Sequence, residues 1–246
     1  MTTYRNFHRK IGSIDLDDLY EATVNGELNG INFASKIDEI RTSQDKEEKK
    51  KLKGTLPGTT VSGKFQNARK LDQLERYTGF IQIDIDDIGE ESAVNITKKM
   101  SSNPLIFYAA LSPGGDGLKS IMKVDTGPDE HREAFEMVSD YIDKTYDVKV
   151  DRGISDITRL MYLTYDPECH YNPEAYTFEI KDKLNVTIGG INNDFNISDQ
   201  LDNDTHQAIL QAYLANRSIG EYKEGKRNTY VHRFASMCNM QEYLEI

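Results

Sequence analysis

Two aspartates near the middle of the chain are the residues whose type and spacing most directly indicate chemistry. The stretch GFIQIDIDDIG, residues 79–89, alternates isoleucine with polar residues, and this period of two predicts a strand with one apolar face. Asp84 and Asp86 lie two positions apart, so both carboxylates leave the same face of that strand. Adjacent carboxylates repel each other and raise each other's pKa unless a cation lies between them. The pair therefore predicts a site for Mg²⁺ or Mn²⁺, which prefer oxygen ligands, with a solvated acidic strand end as the alternative.

A glycine-rich turn further along the chain predicts a phosphate site. The stretch SPGGDGLKSIMKV, residues 112–124, places small residues between two predicted strands. Glycines let backbone N–H groups approach a phosphate closely, and a hydroxyl and an ammonium group can add to that contact. The residues concerned are Ser112, Gly114, Gly115, Gly117 and Lys119. An ordinary hairpin with glycine at positive φ is the alternative, and no helix follows as it would in a Walker A loop.

A third stretch, VDRGISDITRLMYLTYDP at 150–167, adds a carboxylate and a guanidinium group. Asp151 ends a predicted short strand, and Arg159 opens the next one with a side chain suited to bidentate phosphate recognition. Asp156 is interpreted as a turn residue and Asp166, which precedes a proline, as the end of a strand. Asp87, which points away from the pair at 84 and 86, is interpreted as a turn or capping residue.

Composition limits the classes of protein that the chain can represent. The chain has 246 residues and a net charge of −11, which argues against a simple basic nucleic-acid coat protein but allows a site that is basic only locally. No stretch approaches the roughly 18 apolar residues of a membrane span, and the N-terminus has no apolar run like a secretion signal. Cys169 and Cys238 lack metal-ligand spacing, so a cytoplasmic protein without structural zinc is expected.

The order of the predicted strands and helices that must position these residues indicates an α+β fold with a largely antiparallel sheet. Residues 13–48 read as a mostly helical leader, with Ser13 as a possible cap and Gly26 as a stop. A block of strands and helices follows over about 58–182, and it includes predicted strands at VKVDRG (148–153) and AYTFEIK (175–181). An Asn- and Gly-rich stretch then precedes predicted helices from 205 onward. The expected division is a catalytic domain at 1–188 and a small helical C-terminal segment at 189–246.

Taken in order, the three stretches resemble the archaeo-eukaryotic primase superfamily, and specifically its Prim-Pol-type domains. The matching elements are IDID at 83–86, SPGGDGLKS at 112–120, and VD at 150–151 with Arg159. The sequence is more closely similar to the N-terminal domain of bacterial virulence-associated-E-type proteins. That similarity runs through LPGTTVSGKF, YTGFIQIDID, LSPGGDGLKSIMKV and DITRLMYLTYDPECHYNPEA, and covers about residues 50–175. Similar domains accompany CRISPR adaptation components, and EGKRNTYVHRFASMCN at 224–239 resembles a helical segment that follows many Prim-Pol domains.

The resemblance implies an RRM-like mixed or antiparallel sheet with flanking helices, a small helical C-terminal part and a nucleotidyl-transfer site on its open face. Asp84, Asp86 and Asp151 would hold one or two Mg²⁺ or Mn²⁺ ions, with two expected from the resemblance, while a 3′-hydroxyl attacks the α-phosphate of an NTP or dNTP. Lys119 and Arg159 would hold the triphosphate, with Ser112 and the backbone from Gly114 to Gly117 close by. Lys119 stands where the superfamily usually carries a histidine, which leaves the handling of the nucleotide open.

The partners implied are a single-stranded DNA template and primer, the nucleotide, and a helicase or CRISPR adaptation protein, with no membrane. Lys98, Lys99 and Lys123 are candidate template contacts, with plain surface lysines as the alternative. A non-catalytic primase-like module that binds nucleotide or single-stranded DNA and recruits a helicase is the main alternative function. Phosphatases of the haloacid-dehalogenase type also open with a strand ending in D-x-D, but they usually continue with Gly and then Thr or Val, whereas Asp87 and Ile88 follow here without a convincing downstream acidic pair. Metal-dependent glycosyltransferases also use D-x-D, but that class leaves the glycine turn and the following Asp151 and Arg159 unexplained.

Overall fold

The structure is a computed structural model, and it describes residues 1–6 and 9–180. The C-terminal helical segment expected at 189–246, with the stretch at 224–239, lies outside the described residues. Five α-helices are described: α1 (Leu16–Asn25), α2 (Ala34–Thr42), α3 (Lys46–Lys53), α4 (Glu90–Met100) and α5 (His131–Tyr146). The described strands are β1 (Thr2–Tyr4), β2 (Lys10–Ser13), β3 (Glu27–Leu28), β4 (Ile31–Asn32), β5 (Gly58–Thr60), β6 (Gly63–Phe65), β7 (Leu74–Tyr77), β8 (Phe80–Ile85), β9 (Ile106–Leu111), β10 (Leu118–Lys123), β11 (Met161–Tyr162) and β12 (His170–Tyr171).

The sheet that carries the aspartates is four-stranded, in the order β12-β9-β10-β8, and each neighbouring pair is antiparallel. The register of β8 and β10 places Lys119 directly opposite Asp84 and Ile121 opposite Gln82. Helix α4 packs against β9 and helix α5 against β8. The predicted α+β class with a largely antiparallel sheet is therefore confirmed, as are the predicted strands that became β8, β9 and β10.

Both faces of β8 are covered, so the expectation of an open sheet face at this strand is wrong. Ile81, Ile83 and Ile85 are fully buried where α5 packs against the strand. On the other face Gln82 is only 4% exposed. Its neighbour Ile121 belongs to the main hydrophobic cluster, together with residues of α2 and of the segment that follows α3. The carboxylates therefore reach solvent only where β8 ends.

The N-terminal leader contains more strand than the sequence indicated. Helices α1 and α2 are as expected, but β1 and β2 lie in a second antiparallel sheet of order β11-β5-β1-β2. Ser13 is the last residue of β2 and not the cap of α1, because Asp15 forms a capping box with Asp18. Gly26 ends α1 in the left-handed conformation, with φ of 65°, as predicted. This leader supplies the layer that covers the second face of β8 and β10.

Two predicted strands are absent from their expected positions in the described residues. The stretch at 148–153 forms no strand, because the Asp143 carboxylate accepts the backbone N–H of Val150 and Asp151 instead begins a short 3₁₀ turn. Within 175–180, only an isolated bridge pairs Phe178 with Val124, and the edge strand forms earlier, at β12. Alternating apolar residues thus predicted strands at positions where side chains form hydrogen bonds with the backbone N–H groups that a sheet would otherwise use.

No helix in the described part of the chain combines the length and the apolar character that crossing a bilayer would require.

Candidate active site

Asp84 lies at the centre of the candidate site. It is the last residue but one of β8, and its side chain is 14% exposed. Lys119 Nζ donates to Asp84 Oδ2 at 2.6 Å, so the two side chains form an ion pair that is mostly buried. The backbone N–H of Asp151 donates to the carbonyl oxygen of Asp84 at 2.9 Å. This bond brings the third predicted carboxylate residue to the edge of β8, although 66 positions separate the two residues in the sequence.

The second oxygen of the Asp84 carboxylate has no hydrogen-bond partner. Oδ1 is buried and makes no hydrogen bond with any described residue. Buried polar atoms are nearly always paired, so an unpaired carboxylate oxygen marks a place where a further donor or a cation would be stabilised. The Lys119 ammonium neutralises Asp84 on one side only, and the other side is available for coordination.

Asp86 directly follows β8 and is exposed to solvent. Partial desolvation and then the negative charge of Asp84 raise the pKa of Asp86; Asp151 acts in the same direction, while Lys119 and Lys53 oppose the shift. The structure therefore brings Asp84, Asp86 and Asp151 close enough for their charges to interact. A shared cation would relieve this repulsion.

The glycine turn packs against the segment that follows Asp86. The carbonyl oxygen of Asp116 accepts from the backbone N–H of Ile88 at 2.9 Å and of Gly89 at 3.1 Å. A Cβ atom at Gly117 would lie 2.2 Å from the carbonyl oxygen of Ile85, so only glycine permits this approach. The turn itself is closed by a bond from the N–H of Ser112 to the carbonyl oxygen of Gly117, at 2.8 Å. The predicted phosphate turn and the carboxylates thus belong to one site.

Within the turn, the Ser112 hydroxyl oxygen is buried and has no hydrogen-bond partner among the described residues. Gly115 has φ of 79°, a conformation that favours glycine, whereas Gly114 is crowded by the side chains of Asp116 and Lys53. The hydroxyl is therefore one of the site's groups with unused hydrogen-bonding capacity, as is Asp84 Oδ1.

Two cations at this site were missed by the sequence reasoning. Arg41, from α2, donates through Nη2 to the carbonyl oxygens of Ser112 at 3.2 Å and of Tyr165 at 2.9 Å. Burial lowers the pKa of Arg41, while Asp166 raises it. Lys53, the last residue of α3, has its Nζ 3.1 Å from the position that a Cβ of Gly114 would take. Lys53 follows the charge run DKEEKKK at 45–51, which is typical of a solvated helix face, and nothing in the sequence indicates that this helix end contacts the turn.

Arg159 is exposed and lies in the loop before β11. Its backbone N–H donates to the carbonyl oxygen of Asp156 at 3.1 Å, and its charge lowers the pKa of Arg69. No hydrogen bond or ion pair among the described residues joins the Arg159 side chain to the three carboxylates. The structure therefore leaves Arg159 as the one predicted nucleotide contact that is not linked to the rest.

The candidate template lysines lie on other elements. Lys98 and Lys99 are exposed in the last turn of α4. The Lys123 ammonium lies over the ring of Phe80, 5.9 Å from its centroid. None of the three is paired with the aspartates in the described residues.

Two of the three other aspartates have the local roles that were predicted. Asp87 is a turn residue with φ of 56°. Asp156 accepts from the backbone N–H of Thr158 at 2.9 Å, as a turn residue does. Asp166 does not end a strand as predicted, because β11 already ends at Tyr162; it is buried and accepts from the N–H groups of Leu111 at 2.8 Å and Glu168 at 3.1 Å. None of the three is counted as a site carboxylate.

The carboxylates do not form a closed metal cage. Among residues 1–6 and 9–180, no group of three His, Cys, Asp or Glu side chains has the proximity that would hold a metal ion. The donor set nevertheless suits Mg²⁺ or Mn²⁺, because it consists of carboxylate oxygens and includes the unpaired Oδ1 of Asp84. Mg²⁺ is commonly held by one or two carboxylates together with substrate phosphates, and the present arrangement fits a site that is completed in this way.

Comparison with known proteins gives one family and no named relative. The sequence model of the family described as BT4734-like, N-terminal domain, matches residues 51–171, just under half of the chain. No curated protein and no solved structure matches the sequence. The matched segment contains the three carboxylates, the glycine turn, Lys53 and Arg159. Arg41 lies before it. The chain is thus similar to that family over the segment that forms the site.

We expect Gly117→Ala to destabilise the protein by about 1–3 kcal/mol, since the new methyl group would overlap the Ile85 carbonyl oxygen and force the turn away from β8. Gly127→Ala is the matched control, because φ is −83° there and nothing lies within 4 Å of the added Cβ. Urea unfolding of both variants measures the difference. Equal stability of the two variants would show that the close approach at Gly117 is unimportant.

We expect Asp86→Asn to stabilise the protein at neutral pH in the absence of divalent cations. The raised pKa of Asp86 means that ionising this carboxyl costs more in the folded protein than in the unfolded chain. The cost is present above the folded-state pKa and disappears as the pH falls below the ordinary value of 3.8. The gain in unfolding free energy should therefore vanish at acidic pH. Asp87→Asn removes the same charge from the same turn, and an equal gain in that variant would assign the effect to net charge alone.

Proposed function

We propose that the chain is a metal-dependent, template-directed nucleotidyltransferase, a DNA/RNA primase-polymerase that joins NTPs or dNTPs on single-stranded DNA. The observation that carries this proposal is the convergence of Asp84, Asp86 and Asp151 at one end of β8, beside Lys119 and a glycine turn. Its setting would be cytoplasmic. Its partners would be the template, the primer and the nucleotide, with a helicase or a CRISPR adaptation protein as accessory partner.

The strand order supports an RRM-like sheet of the Prim-Pol type. The chain runs β8-α4-β9-β10-α5, and in the sheet β10 lies between β8 and β9. After α5 the chain returns to the free edge of β8, where the N–H of Asp151 bonds to Asp84. This sequence of elements corresponds to the β-α-β-β-α-β motif, with its last strand reduced to a single backbone bond. The third carboxylate comes to the site by that return.

In the proposed reaction, Asp84, Asp86 and Asp151 are the residues that would hold one or two Mg²⁺ or Mn²⁺ ions. A bound divalent cation supplies positive charge that neutralises the phosphates and the attacking and leaving oxygens. The protein's own contribution is to place the carboxylates on a strand fixed by buried isoleucines, so that the reacting groups meet in one geometry. Little rearrangement of the backbone is then needed when the nucleotide binds.

The glycine turn and its cations would orient the triphosphate. The Ser112 hydroxyl has unused hydrogen-bonding capacity, and the Lys53 and Lys119 ammonium groups lie at the turn and at Asp84. Such groups bind phosphate as point charges and stabilise charge that develops during phosphoryl transfer. Arg41 is a positioning residue in this scheme, because its guanidinium group ties the turn to the carbonyl oxygen of Tyr165.

A nucleotide- or DNA-binding module without catalytic activity is the second candidate, and one observation favours it. Lys119 already neutralises Asp84 at 2.6 Å, as a purely structural ion pair would. That interpretation limits the Asp151 carboxylate to accepting the N–H of Gly153 at 2.8 Å, and it gives no role to the unpaired Oδ1 of Asp84 or the unpaired Ser112 hydroxyl. The two functions differ in their need for metal, since single-strand binding should survive a chelator and nucleotide incorporation should not.

We expect Asp86→Asn/Asp151→Asn to reduce nucleotide incorporation by about 10²–10³-fold or more, because it removes two of the three charges proposed to hold the cations. Both residues are exposed, so the fold should persist. Asp84→Ala is a poorer test, since it would leave Lys119 buried without a counter-charge at a cost of about 3–5 kcal/mol. Gel analysis of labelled products on a single-stranded DNA template, with Mg²⁺ or Mn²⁺ and with or without a primer, measures the effect.

Asp87→Asn is the control for this assay, since it removes one charge from the adjacent turn and should retain activity. Incorporation that continues unchanged in the double variant would refute the site assignment. No product from the unaltered protein under any combination of metal, nucleotide and primer would favour the binding module.

A further inference from the structure

Three loops on the N-terminal side of the molecule bring together a cluster of basic residues that lies outside the site described above. We call it the three-loop basic surface. It is formed by the β1–β2 hairpin, the β6–β7 connection and the loop before β11. Its members are Arg5, Arg9, Lys10, Arg69, Lys70 and Arg159.

Side-chain bonds to backbone carbonyl groups hold the three loops together. Lys10 Nζ donates to the carbonyl oxygens of Phe65 at 2.8 Å and Gln66 at 2.6 Å, which joins the first hairpin to the second connection. Arg69 Nη1 donates to the carbonyl oxygen of Thr158 at 3.0 Å, which joins that connection to the third loop. The Arg69 guanidinium group also lies over the ring of Tyr4, at 5.5 Å from the centroid. These bonds join the described parts of the three loops.

The exposed members of the surface are not neutralised by neighbouring carboxylates. Arg5, Arg9, Lys70 and Arg159 are exposed and form no ion pair with the described residues. The acidic residues within these loops are Asp72, Asp151 and Asp156, and the carboxylates of Asp151 and Asp156 accept from the backbone N–H groups of Gly153 and Thr158. In a chain whose net charge is −11, six basic residues against three acidic ones on joined loops form a local excess of positive charge.

We propose that the three-loop basic surface binds the phosphate backbone of a single-stranded nucleic acid and guides it toward the carboxylates. The choice of a template strand as partner rests on the proposed function. Arginine and lysine contacts to phosphates fix the position of a nucleic acid without reading its sequence. The loop that carries Arg159 begins eight residues earlier at Asp151, whose backbone bonds to Asp84, so the surface and the site share one segment of chain. Arg159 is thereby assigned to strand binding and not to the triphosphate.

The test is the binding of a fluorescent oligothymidylate to the whole protein in EDTA, followed by anisotropy over a range of salt concentrations. Arg5→Ala/Arg9→Ala/Lys70→Ala should weaken binding at least about tenfold at low salt. It should also reduce the slope of log K against log salt by about 2, since each phosphate contact on a single strand contributes roughly 0.7. Arg159→Ala alone should weaken strand binding in the same direction.

Lys98→Ala/Lys99→Ala is the matched control, because it removes two exposed charges from α4. Equal loss in this control, unchanged binding by the triple variant, or no binding by the unaltered protein would overturn the inference. A loss of nucleotide affinity without a loss of strand affinity in Arg159→Ala would return that residue to the triphosphate site. Binding measured in EDTA does not depend on catalysis. Strand binding that depends on this surface would therefore support the inference even if no nucleotide incorporation were observed. If the triple variant keeps both nucleotide incorporation and strand affinity, the proposed role of the three-loop basic surface is refuted, whereas the proposed function is not.

Discussion

The ion pair between Lys119 and Asp84 is the contact on which the rest of the site depends. The two residues face each other across β10 and β8, and both side chains are largely withdrawn from water. A carboxylate in such a position needs a counter-charge, and a buried lysine left alone would be equally unfavourable. Because the pair occupies only Oδ2, the other oxygen of Asp84 stays available without a partner. The arrangement therefore stabilises the buried carboxylate and leaves one of its oxygens unpaired, which is the oxygen proposed to contact a cation.

Close backbone packing determines what surrounds that pair. The glycine turn reaches the end of β8 because Gly117 has no side chain, and the carbonyl oxygen of Asp116 then accepts the two N–H groups that follow the aspartates. Arg41 fixes the turn from the other side. Two elements that are distant in sequence, the end of α3 and the segment after α5, add Lys53 and Asp151. Four separate parts of the chain thus converge on one strand end, where negative and positive groups suited to a cation and a triphosphate lie side by side.

The parts of this arrangement that could be predicted are those in which local pattern and tertiary structure agree. The isoleucine alternation identified β8 and the glycine run identified the turn, because each pattern extends over several residues. Strands of three residues such as β1 carry no such repeat, and they exist only because β5 and β2 pair with them. The predicted strand at 148–153 was wrong because the Asp143 carboxylate takes the Val150 N–H. The roles of Arg41 and Lys53 depend on how the leader packs, which no local pattern encodes.

The central claim is that the three aspartates and the glycine turn form one site for a divalent cation together with a nucleoside triphosphate. Titration calorimetry of the whole protein with a triphosphate that resists cleavage at the α-phosphate, in Mn²⁺ and in EDTA, tests it most directly. We expect triphosphate binding that requires Mn²⁺. The affinity should weaken about tenfold or more in Asp86→Asn/Asp151→Asn and should be retained in Asp87→Asn. Equal affinity in Mn²⁺ and in EDTA, or binding that is insensitive to the double substitution, would contradict it.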